Sequence, residues 1–348
     1  MRIKQTHSGA ISGRSELAML EVIRQRAAHA ASFARKGGLR LGIGDDCALL
    51  TPRAGEELAI TTDLSIAGSH FRLDWHQPEA VGHRVLARGL SDLAAMGARP
   101  VAAFLSLGLP RSLTETTGRR RSTWVERFFD GFLALAEALN TPLAGGDLAE
   151  SSLAVADIVL VGAVPRGRAL LRSGAKPGDL LYVTGALGGA AAGLARLAEL
   201  ASPARPTPPR IPKKQAITLA PHLYPQPRIA QGLWLQRRGL ASAAIDLSDG
   251  LSTDLAHLCE ESGVAAEVDA TLLPLGLGAN LAQALHGGED YELLFTSPPA
   301  ARLPHSIAGV PVTRIGRVLK ARAGRPTLTL ISPQGAKPLE AHGWEHFT

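Results

Sequence analysis

Cysteine is scarce in this sequence, which has two in 348 residues, Cys47 and Cys259, far apart and without metal-type spacing. A disulfide framework is therefore not expected, and a reducing, cytoplasmic compartment is the default prediction. Cys47 directly follows two aspartates, which disfavour a reactive thiolate. We therefore predict that Cys47 is a small buried residue and not a nucleophile.

Long apolar runs are also missing. The first thirty residues carry charged side chains and lack the continuous apolar core of a secretory signal. The alanine-rich stretch 186–200 is interrupted by Arg196 and Glu199, and it is shorter than the roughly 20 residues that a membrane span needs. We expect no membrane association.

Aromatic residues make up 4% of the chain, and they do not alternate with basic residues anywhere. The net charge is +6, but the only basic run is Arg119–Arg121. A protein that stacks bases in a positively charged groove needs both features together. Nucleic acid is therefore not expected as a partner, whereas anionic small molecules remain compatible with the charge.

Several familiar catalytic patterns are absent. The chain has no Gly-x-x-x-x-Gly-Lys-Ser/Thr phosphate loop, no protein-kinase set of Gly-rich loop, Lys and His-Arg-Asp, and no Gly-x-Ser-x-Gly elbow. Its eleven histidines never combine with cysteine in a zinc pattern. These absences exclude the commonest routes to phosphoryl transfer, ester hydrolysis and zinc chemistry.

Aspartates beside glycine or hydroxyl residues are what the chain has instead. They recur at the edges of apolar segments, at Asp46, Asp63, Asp92, Asp147, Asp246, Asp249 and Asp290. Each one alone is explained by a turn or a helix cap, for which Asp is favoured. Together they predict an acidic site, because carboxylates brought close need a neutralising cation, and Mg²⁺ prefers oxygen ligands.

Strand and helix patterns alternate in both halves of the chain, which predicts an α/β or α+β class with two domains, 1–165 and 166–348. A strand over 58–62 delivers Asp63, and a helix that begins at Pro78 runs towards Asp92. A helix is also predicted over 15–30. The stretch 202–214 has five prolines and no periodicity, so we expect an exposed insertion there.

Seven strings along the chain resemble thiamine-monophosphate kinases, in family order. They are Gly-Ile-Gly-Asp-Asp-Cys-Ala-Leu-Leu (42–50), Thr-Thr-Asp (61–63) with Ala-Gly-Ser-His-Phe (67–71), Leu-Ser-Asp-Leu-Ala-Ala-Met-Gly-Ala (90–98), Gly-Gly-Asp (145–147), Arg-Ser-Gly-Ala-Lys-Pro-Gly-Asp (172–179), Ile-Asp-Leu-Ser-Asp-Gly-Leu (245–251) and Gly-Gly-Glu-Asp-Tyr-Glu-Leu (287–293). The resemblance implies the aminoimidazole ribonucleotide synthetase-like fold. In that fold an N-terminal mixed sheet with helices pairs across a homodimer, and a C-terminal α/β domain packs alongside.

The resemblance also implies roles for individual residues. Several Mg²⁺ ions would be held by Asp46, Thr61, Thr62, Asp63, Asp92, Asp147, Asp246 and Asp249. ATP would be contacted by Gly146, Asp147, Arg172 and Ser248. Thiamine monophosphate would be contacted by His70, Glu289 and Trp344. No residue is expected to act as a general base, because the acceptor is a phosphate that is already mostly ionised at neutral pH.

The implied reaction is ATP-dependent phosphorylation of thiamine monophosphate to thiamine diphosphate. Two alternatives remain at this point: another ATP-using synthetase of the superfamily, or a non-catalytic protein that binds a nucleotide or thiamine phosphate. The chain departs from the family pattern at Gly89, where Asn is frequent, and at Leu148 and Ala149, where Thr usually follows Gly-Gly-Asp. Each departure removes a polar side chain near the expected metals.

Overall fold

Two β-sheets, one from each half of the chain, organise this computed structural model, which describes residues 21, 23–26, 37–116, 122–202 and 207–343. Most of the helix predicted over 15–30 lies outside the described residues, of which 21 and 23–26 are helical. None of the helices in the described part of the chain combines the length and the apolarity needed to cross a lipid bilayer.

The first half forms a four-stranded sheet with two helices and a small hairpin. Its elements are β1 (Leu39–Leu41), β2 (Leu49–Leu50), β3 (Glu56–Ile66), α1 (Pro78–Ala95), β4 (Arg99–Leu109), α2 (Trp124–Ala138), β5 (Leu143–Glu150) and β6 (Val155–Pro165). The sheet order is β3-β6-β4-β5, in which only the β4–β5 pair is parallel. β1 and β2 form a separate antiparallel pair.

The second half forms an eight-stranded sheet with five helices among the described residues. Its elements are β7 (Leu180–Thr184), α3 (Gly189–Leu200), α4 (Ala216–Leu223), α5 (Ile229–Arg238), β8 (Ala243–Asp246), α6 (Leu251–Ser262), β9 (Val264–Asp269), α7 (Leu281–His286), β10 (Leu293–Ser297), β11 (Ser306–Ile307), β12 (Val310–Lys320), β13 (Leu328–Ser332) and β14 (Gly335–Pro338). The sheet order is β14-β13-β9-β12-β7-β10-β8, with β11 paired to β12.

Local sequence explains where the two helices of the first half begin. Pro78 opens α1, where its missing N–H costs nothing. Thr123 and Glu126 form a reciprocal capping box at the start of α2. The two helices cross closely because Gly82 and Gly131 carry no side chain: a Cβ on Gly82 would lie 1.9 Å from the carbonyl oxygen of Phe128.

The largest hydrophobic core runs through both halves. α1 is buried along most of its length, and its Leu86 and Leu90 belong to the same cluster as Phe295 of β10 and Leu235 of α5. A second cluster fills the space between α6 and the other face of the second sheet. Because one apolar cluster joins the two halves, the residues between them are held in a fixed arrangement.

Two sequence predictions outside the site need comment. Cys47 is exposed in the loop between β1 and β2, so the prediction of a buried residue was wrong, whereas Cys259 is buried on α6. The described part of the proline-rich stretch, 202 and 207–214, is irregular up to a short 3₁₀ turn at Lys213–Gln215. Its Ile211 nevertheless packs against the small apolar cluster that contains Leu197 and Leu219.

Candidate active site

Acidic residues from distant parts of the chain line one cavity of about 520 Å³ where the two halves meet. Asp63 lies near the end of β3, Asp92 lies in the last turn of α1, and Asp246 ends β8. Ser248 and Asp249, in the loop after β8, line the same cavity. The structure therefore brings five of the sequence-predicted site residues together.

Hydroxyl groups orient two of these carboxylates. Thr61 Oγ1 donates a short hydrogen bond to Asp92 Oδ2, and Ser91 Oγ donates to Asp246 Oδ2 over 2.7 Å. Burial, and then the negative charge of Asp246, raise the pKa of Asp92 to about 7. Burial chiefly raises the pKa of Asp246 to about 6. Both acids bind protons more tightly than a free Asp chiefly because burial disfavours the charged form.

These pKa shifts bear on whether the residues suit a metal. Within the described ranges, no three His, Cys, Asp or Glu side chains have the geometry of a finished metal site. The donors facing the cavity are carboxylate oxygens, the ligands that Mg²⁺ prefers over softer metals. A divalent cation would also remove the repulsion that raises the two pKa values. The donor set therefore fits Mg²⁺ in its chemistry.

Glu289 lines the same cavity and is tightly held. Arg84, whose side chain is 4% exposed, forms a 2.5 Å ion pair with Glu289 Oε1. His222 Nδ1 lies 3.5 Å from Glu289 Oε2. Burial alone would raise the pKa of Glu289, but the charge of Arg84 and the contact with His222 hold it well below its usual range. Glu289 is therefore a carboxylate at neutral pH.

Two histidines support this part of the cavity. The Nε2 atoms of His76 and His222 are 2.9 Å apart, so one ring donates and the other accepts. Burial, followed by the nearby Arg84 charge, lowers the pKa of His76 to about 3 and that of His222 to about 4. Both rings are neutral near pH 7. Of the two side chains that contact the Glu289 carboxylate, Arg84 and His222, only Arg84 therefore carries a charge near pH 7.

The turn that carries Glu289 has unusual backbone geometry. Glu289 and Tyr291 have positive φ angles of 67° and 50°, which residues other than glycine seldom adopt. The N–H of Glu289 donates to the carbonyl of Ser248, and that of Tyr291 donates to the carbonyl of Leu247, each over 2.8 Å. Such local strain persists only where the surroundings enforce it, and it is frequent at functional sites.

His70 also lines the cavity. Its Nδ1 accepts the backbone N–H of Ile66 over 3.1 Å, so the proton of the neutral ring resides on Nε2. The carbonyl oxygen of His70 accepts a hydrogen bond from Arg84 Nη2 over 3.2 Å. Arg84 therefore links the His70 segment to Glu289.

The remaining predicted residues of the first half lie outside the set that lines this cavity. Asp46 is exposed in the loop between β1 and β2. Gly146 and Asp147 are exposed on β5, where Asp147 Oδ1 accepts the N–H of Leu148 over 2.8 Å. Gly146 has φ 151°, and a Cβ there would lie 1.9 Å from the carbonyl oxygen of Leu105. Sheet packing alone thus requires glycine at 146.

Three predicted residues have other positions. Thr62 is exposed on the face of β3 opposite Asp63, since side chains alternate along a strand. Arg172 is exposed, yet its positive charge lowers the pKa of both Asp92 and Asp246, so it lies within electrostatic reach of them. Trp344 lies outside the described residues.

The departures at Gly89, Leu148 and Ala149 have structural correlates. A Cβ on Gly89 would lie 2.9 Å from Leu160 Cδ1, so this position faces the sheet and not the cavity. Leu148 is half-buried against the main core, and Ala149 is exposed. None of the three residues lines the cavity. A polar side chain at position 89, 148 or 149 would therefore not be among the groups that face it.

Sequence reasoning missed several residues of the site. Arg84, Arg88 and Asp92 follow one another at four-residue intervals on α1, a spacing that puts them on one helix face and could have been noticed. Asp254, four residues after Gly250, is buried and accepts the N–H groups of Asp249 and Gly250. Burial, and then Asp246 and Asp249, raise its pKa to about 8. His222 has no local signal.

The chain matches two protein families along its length. The AIR synthase related protein, N-terminal domain, matches over residues 44–165, and the AIR synthase related protein, C-terminal domain, matches over 176–328. These matches and the structural neighbours confirm the predicted two-domain α/β fold of the aminoimidazole ribonucleotide synthetase type.

Individual relatives narrow the family further. The thiamine-monophosphate kinase of Escherichia coli (strain K12) is 41% identical over 321 residues, which are 89% of this chain and 92% of the relative. The crystal structure of thiamine-monophosphate kinase from Stenotrophomonas maltophilia K279a has a TM-score of 0.75 at 37% identity and covers 91% of this chain and 96% of its own. The structure of AaThiL complexed with AMPPCP and TMP has a TM-score of 0.71 at 30% identity and covers 98% and 100%. This chain therefore belongs to the thiamine-monophosphate kinase family.

Proposed function

We propose that this chain phosphorylates thiamine monophosphate to thiamine diphosphate with ATP as the phosphoryl donor, by direct transfer assisted by Mg²⁺. The observation that carries the proposal is the convergence of Asp63, Asp92 and Asp246 on a cavity that also presents the Glu289 carboxylate. A site that joins two phosphorylated molecules, one of which has a cationic ring, needs both features.

The reaction asks little covalent chemistry of the protein. An oxygen of the acceptor phosphate forms a bond to the γ-phosphorus of ATP while the bond to the β–γ bridging oxygen breaks, and ADP leaves. The acceptor has a second pKa of about 6, so at neutral pH it is already a nucleophile and no general base is required. The contribution of the protein is to hold two polyanions in line and to cancel their repulsion.

The acidic side of the cavity supplies the metal ligands in this proposal. Asp63, Asp92 and Asp246 would hold Mg²⁺, with further ligands from Asp46, Thr61, Asp147 and Asp249, whereas the side chain of Thr62 faces away from the cavity. When bound, Mg²⁺ would neutralise charge on both phosphate chains. Thr61 and Ser91 keep the Asp92 and Asp246 carboxylates aimed at the cavity through the hydrogen bonds described above. Gly146, Asp147, Arg172 and Ser248 would contact ATP.

The part of the cavity around Glu289 suits the thiamine moiety. Glu289 stays ionised because Arg84 holds its pKa low, so it can pair with the positive thiazolium ring. His70 lines the same side with its ring proton on Nε2. Trp344 remains a proposed stacking partner for the rings. Gly343, the residue before it, donates its N–H to Thr253 Oγ1 in the first turn of α6.

We also propose that the active form is a homodimer that pairs through the open face of β3. Leu58, Ile60 and Leu64 point away from the cavity and are 41%, 64% and 47% exposed. An exposed apolar stripe on the edge strand of a sheet is costly unless another surface covers it. An isologous pairing of two copies would cover it.

We place the enzyme in the cytoplasm, where ATP is available.

A coupled ADP-release assay tests the proposed activity. With ATP and Mg²⁺, ADP should form when thiamine monophosphate is present and not when unphosphorylated thiamine replaces it. Asp246→Asn should remove turnover while the far-UV circular dichroism spectrum stays unchanged. Tight binding of thiamine monophosphate without any ADP release would instead identify a binding protein and overturn the proposal. A phosphorylated enzyme trapped by acid quench would contradict direct transfer.

A further inference from the structure

Arg88 is a largely buried positive charge in a cavity that also presents several carboxylates; the second arginine of the cavity, Arg72, is half exposed and paired with Asp74. Arg88 lies on α1, one turn after Arg84 and one turn before Asp92, and it lines the cavity. Its side chain is 17% exposed. Burying an arginine is costly unless its charge meets a partner, so its presence here calls for a chemical reason.

Within the described residues, Arg88 makes a single hydrogen bond, from Nη2 to Asp63 Oδ1 over 3.0 Å. A guanidinium group carries five N–H donors in a planar fork, so most of them are left for another acceptor. Arg84, one turn earlier, differs, because its donors are engaged by Glu289, by the carbonyl of His222 and by the carbonyl of His70. Arg84 is a structural cation, whereas Arg88 still has donors to offer.

The charged groups around Arg88 show that it lies near both Asp63 and Glu289. Burial would lower its pKa, but Tyr291, Asp63 and Glu289 together raise it, so both Asp63 and Glu289 are within electrostatic reach. Asp63 belongs to the acidic side and Glu289 to the side proposed for thiamine. In thiamine monophosphate, the phosphate group is joined to the thiazolium ring. A substrate whose ring meets Glu289 and whose phosphate approaches the metals must therefore place that phosphate near Arg88.

We propose that Arg88 binds the acceptor phosphate of the substrate and thereby selects the phosphorylated form of thiamine over the free alcohol; this inference rests on the proposed function. A planar guanidinium donates two parallel hydrogen bonds to a phosphate, an arrangement that fixes both position and orientation. Arg88 touches the substrate but transfers no proton. It acts by holding the attacking oxygen and by offsetting one negative charge of the acceptor.

A blander role for Arg88 is that it only neutralises Asp63. Both roles use the hydrogen bond between Arg88 and Asp63, but they differ in which ligand responds to a substitution. A neutraliser acts through metal binding at Asp63, so with Mg²⁺ left out it treats phosphorylated and free thiamine alike. A phosphate ligand affects the phosphorylated form alone. The ratio of the two affinities therefore separates the two roles.

The test measures the affinities for thiamine monophosphate and for thiamine, both by isothermal titration calorimetry without nucleotide or Mg²⁺. Variants are Arg88→Met, Arg88→Lys and, as a matched control, Arg317→Met, which breaks the exposed Arg317–Glu267 pair outside the cavity. Arg88→Met should weaken thiamine monophosphate by about 10- to 100-fold, the usual worth of a charged hydrogen bond. Thiamine and the KM for ATP should change by less than about threefold.

Arg88→Lys keeps the charge but loses the fork, so it should recover part of the loss, and Arg317→Met should match the wild type in every measurement. Equal weakening of both thiamine forms, or unchanged binding of both with altered Mg²⁺ affinity, would overturn the inference while leaving the kinase proposal intact. A wild-type chain that shows no turnover of thiamine monophosphate would overturn both. If Arg88→Met does not fold, Arg88→Lys alone decides, because it must still weaken thiamine monophosphate selectively.

Discussion

The ion pair between Arg84 and Glu289 allows a quantitative prediction about stability. Arg84→Met keeps the length of the side chain and removes its charge, which leaves the partly buried Glu289 in contact with the neutral His222 only. Breaking a buried pair from one side costs about 3–5 kcal/mol in free energy of unfolding. Arg84 is 4% exposed but Glu289 is 27% exposed, so this pair belongs at the lower end of that range. Arg127→Met, which breaks the more exposed Arg127–Glu79 pair, should cost about 1 kcal/mol or less.

The pH dependence of this variant has a definite sign. In the wild type the folded pKa of Glu289 lies below its unfolded value, so its contribution to stability is complete above about pH 4.3 and constant from pH 5 to 7.5. In Arg84→Met, burial would dominate and raise that pKa. The variant should therefore lose stability as the pH rises from 5 to 7.5, and Arg84→Met/Glu289→Gln should recover much of the loss.

Urea unfolding followed by circular dichroism at pH 5 and 7.5 measures these free energies. The double-mutant cycle of Arg84→Met and Glu289→Gln should show a coupling of about 1–3 kcal/mol. If Arg84→Met unfolds within 1 kcal/mol of the wild type at pH 7.5, water or another cation already compensates Glu289, and the reasoning from burial is refuted.

Three further predictions follow from the site and its surroundings. Because Asp92 and Asp246 have raised folded pKa values, their contribution to stability is complete below about pH 4 and is lost as the pH rises to about 7. In EDTA the melting temperature should therefore fall over that range, and Mg²⁺ should raise the melting temperature more at pH 8 than at pH 5.5. Equal shifts of the melting temperature at both pH values would contradict the assignment of these residues as metal ligands. Gly89→Asn should destabilise the protein by about 1–3 kcal/mol because its side chain meets Leu160, and a more stable or more active variant in urea unfolding and ADP-release assays would refute that packing argument. Ile60→Asp should shift the mass found by light scattering from dimer to monomer, whereas Ile217→Asp, on α4 and even more exposed, should leave it unchanged; a dimeric Ile60→Asp would show that the interface does not include this face of β3.

Much of the architecture could be predicted from the sequence because the pattern and the fold agree locally. The strand before Asp63, the helix that opens at Pro78 and the helix behind Thr123 all have clear apolar spacing and start signals. The apolar pattern near the end of the site begins at Tyr291, but β10 begins at Leu293, because Tyr291 adopts a left-handed backbone held by Leu247. That constraint comes from a segment more than forty residues away, so no local pattern can reveal it.

The acidic residues of the site could be predicted from the sequence, whereas its two buried arginines could not. Asp63, Asp92 and Asp246 stand beside recognisable strings, so sequence alone nominated them. Arg84 and Arg88 were overlooked because a charge on a helix is usually a solvated one, and only the burial of α1 between two layers turns that face inward. The proposed roles of Asp46, Asp147 and Trp344 depend on the family resemblance and remain predictions.

The apolar cluster shared by the two halves limits how the enzyme can move. Leu86, Leu90 and Phe295 belong to one cluster. Separating the two halves would therefore expose this cluster to water, at a cost of about several kcal/mol. Ligands must then reach the cavity by movement of its bordering loops, with the two halves remaining docked. A protein cut at residue 165 should yield two fragments that each expose an apolar surface and aggregate. The intact chain should unfold in a single cooperative transition.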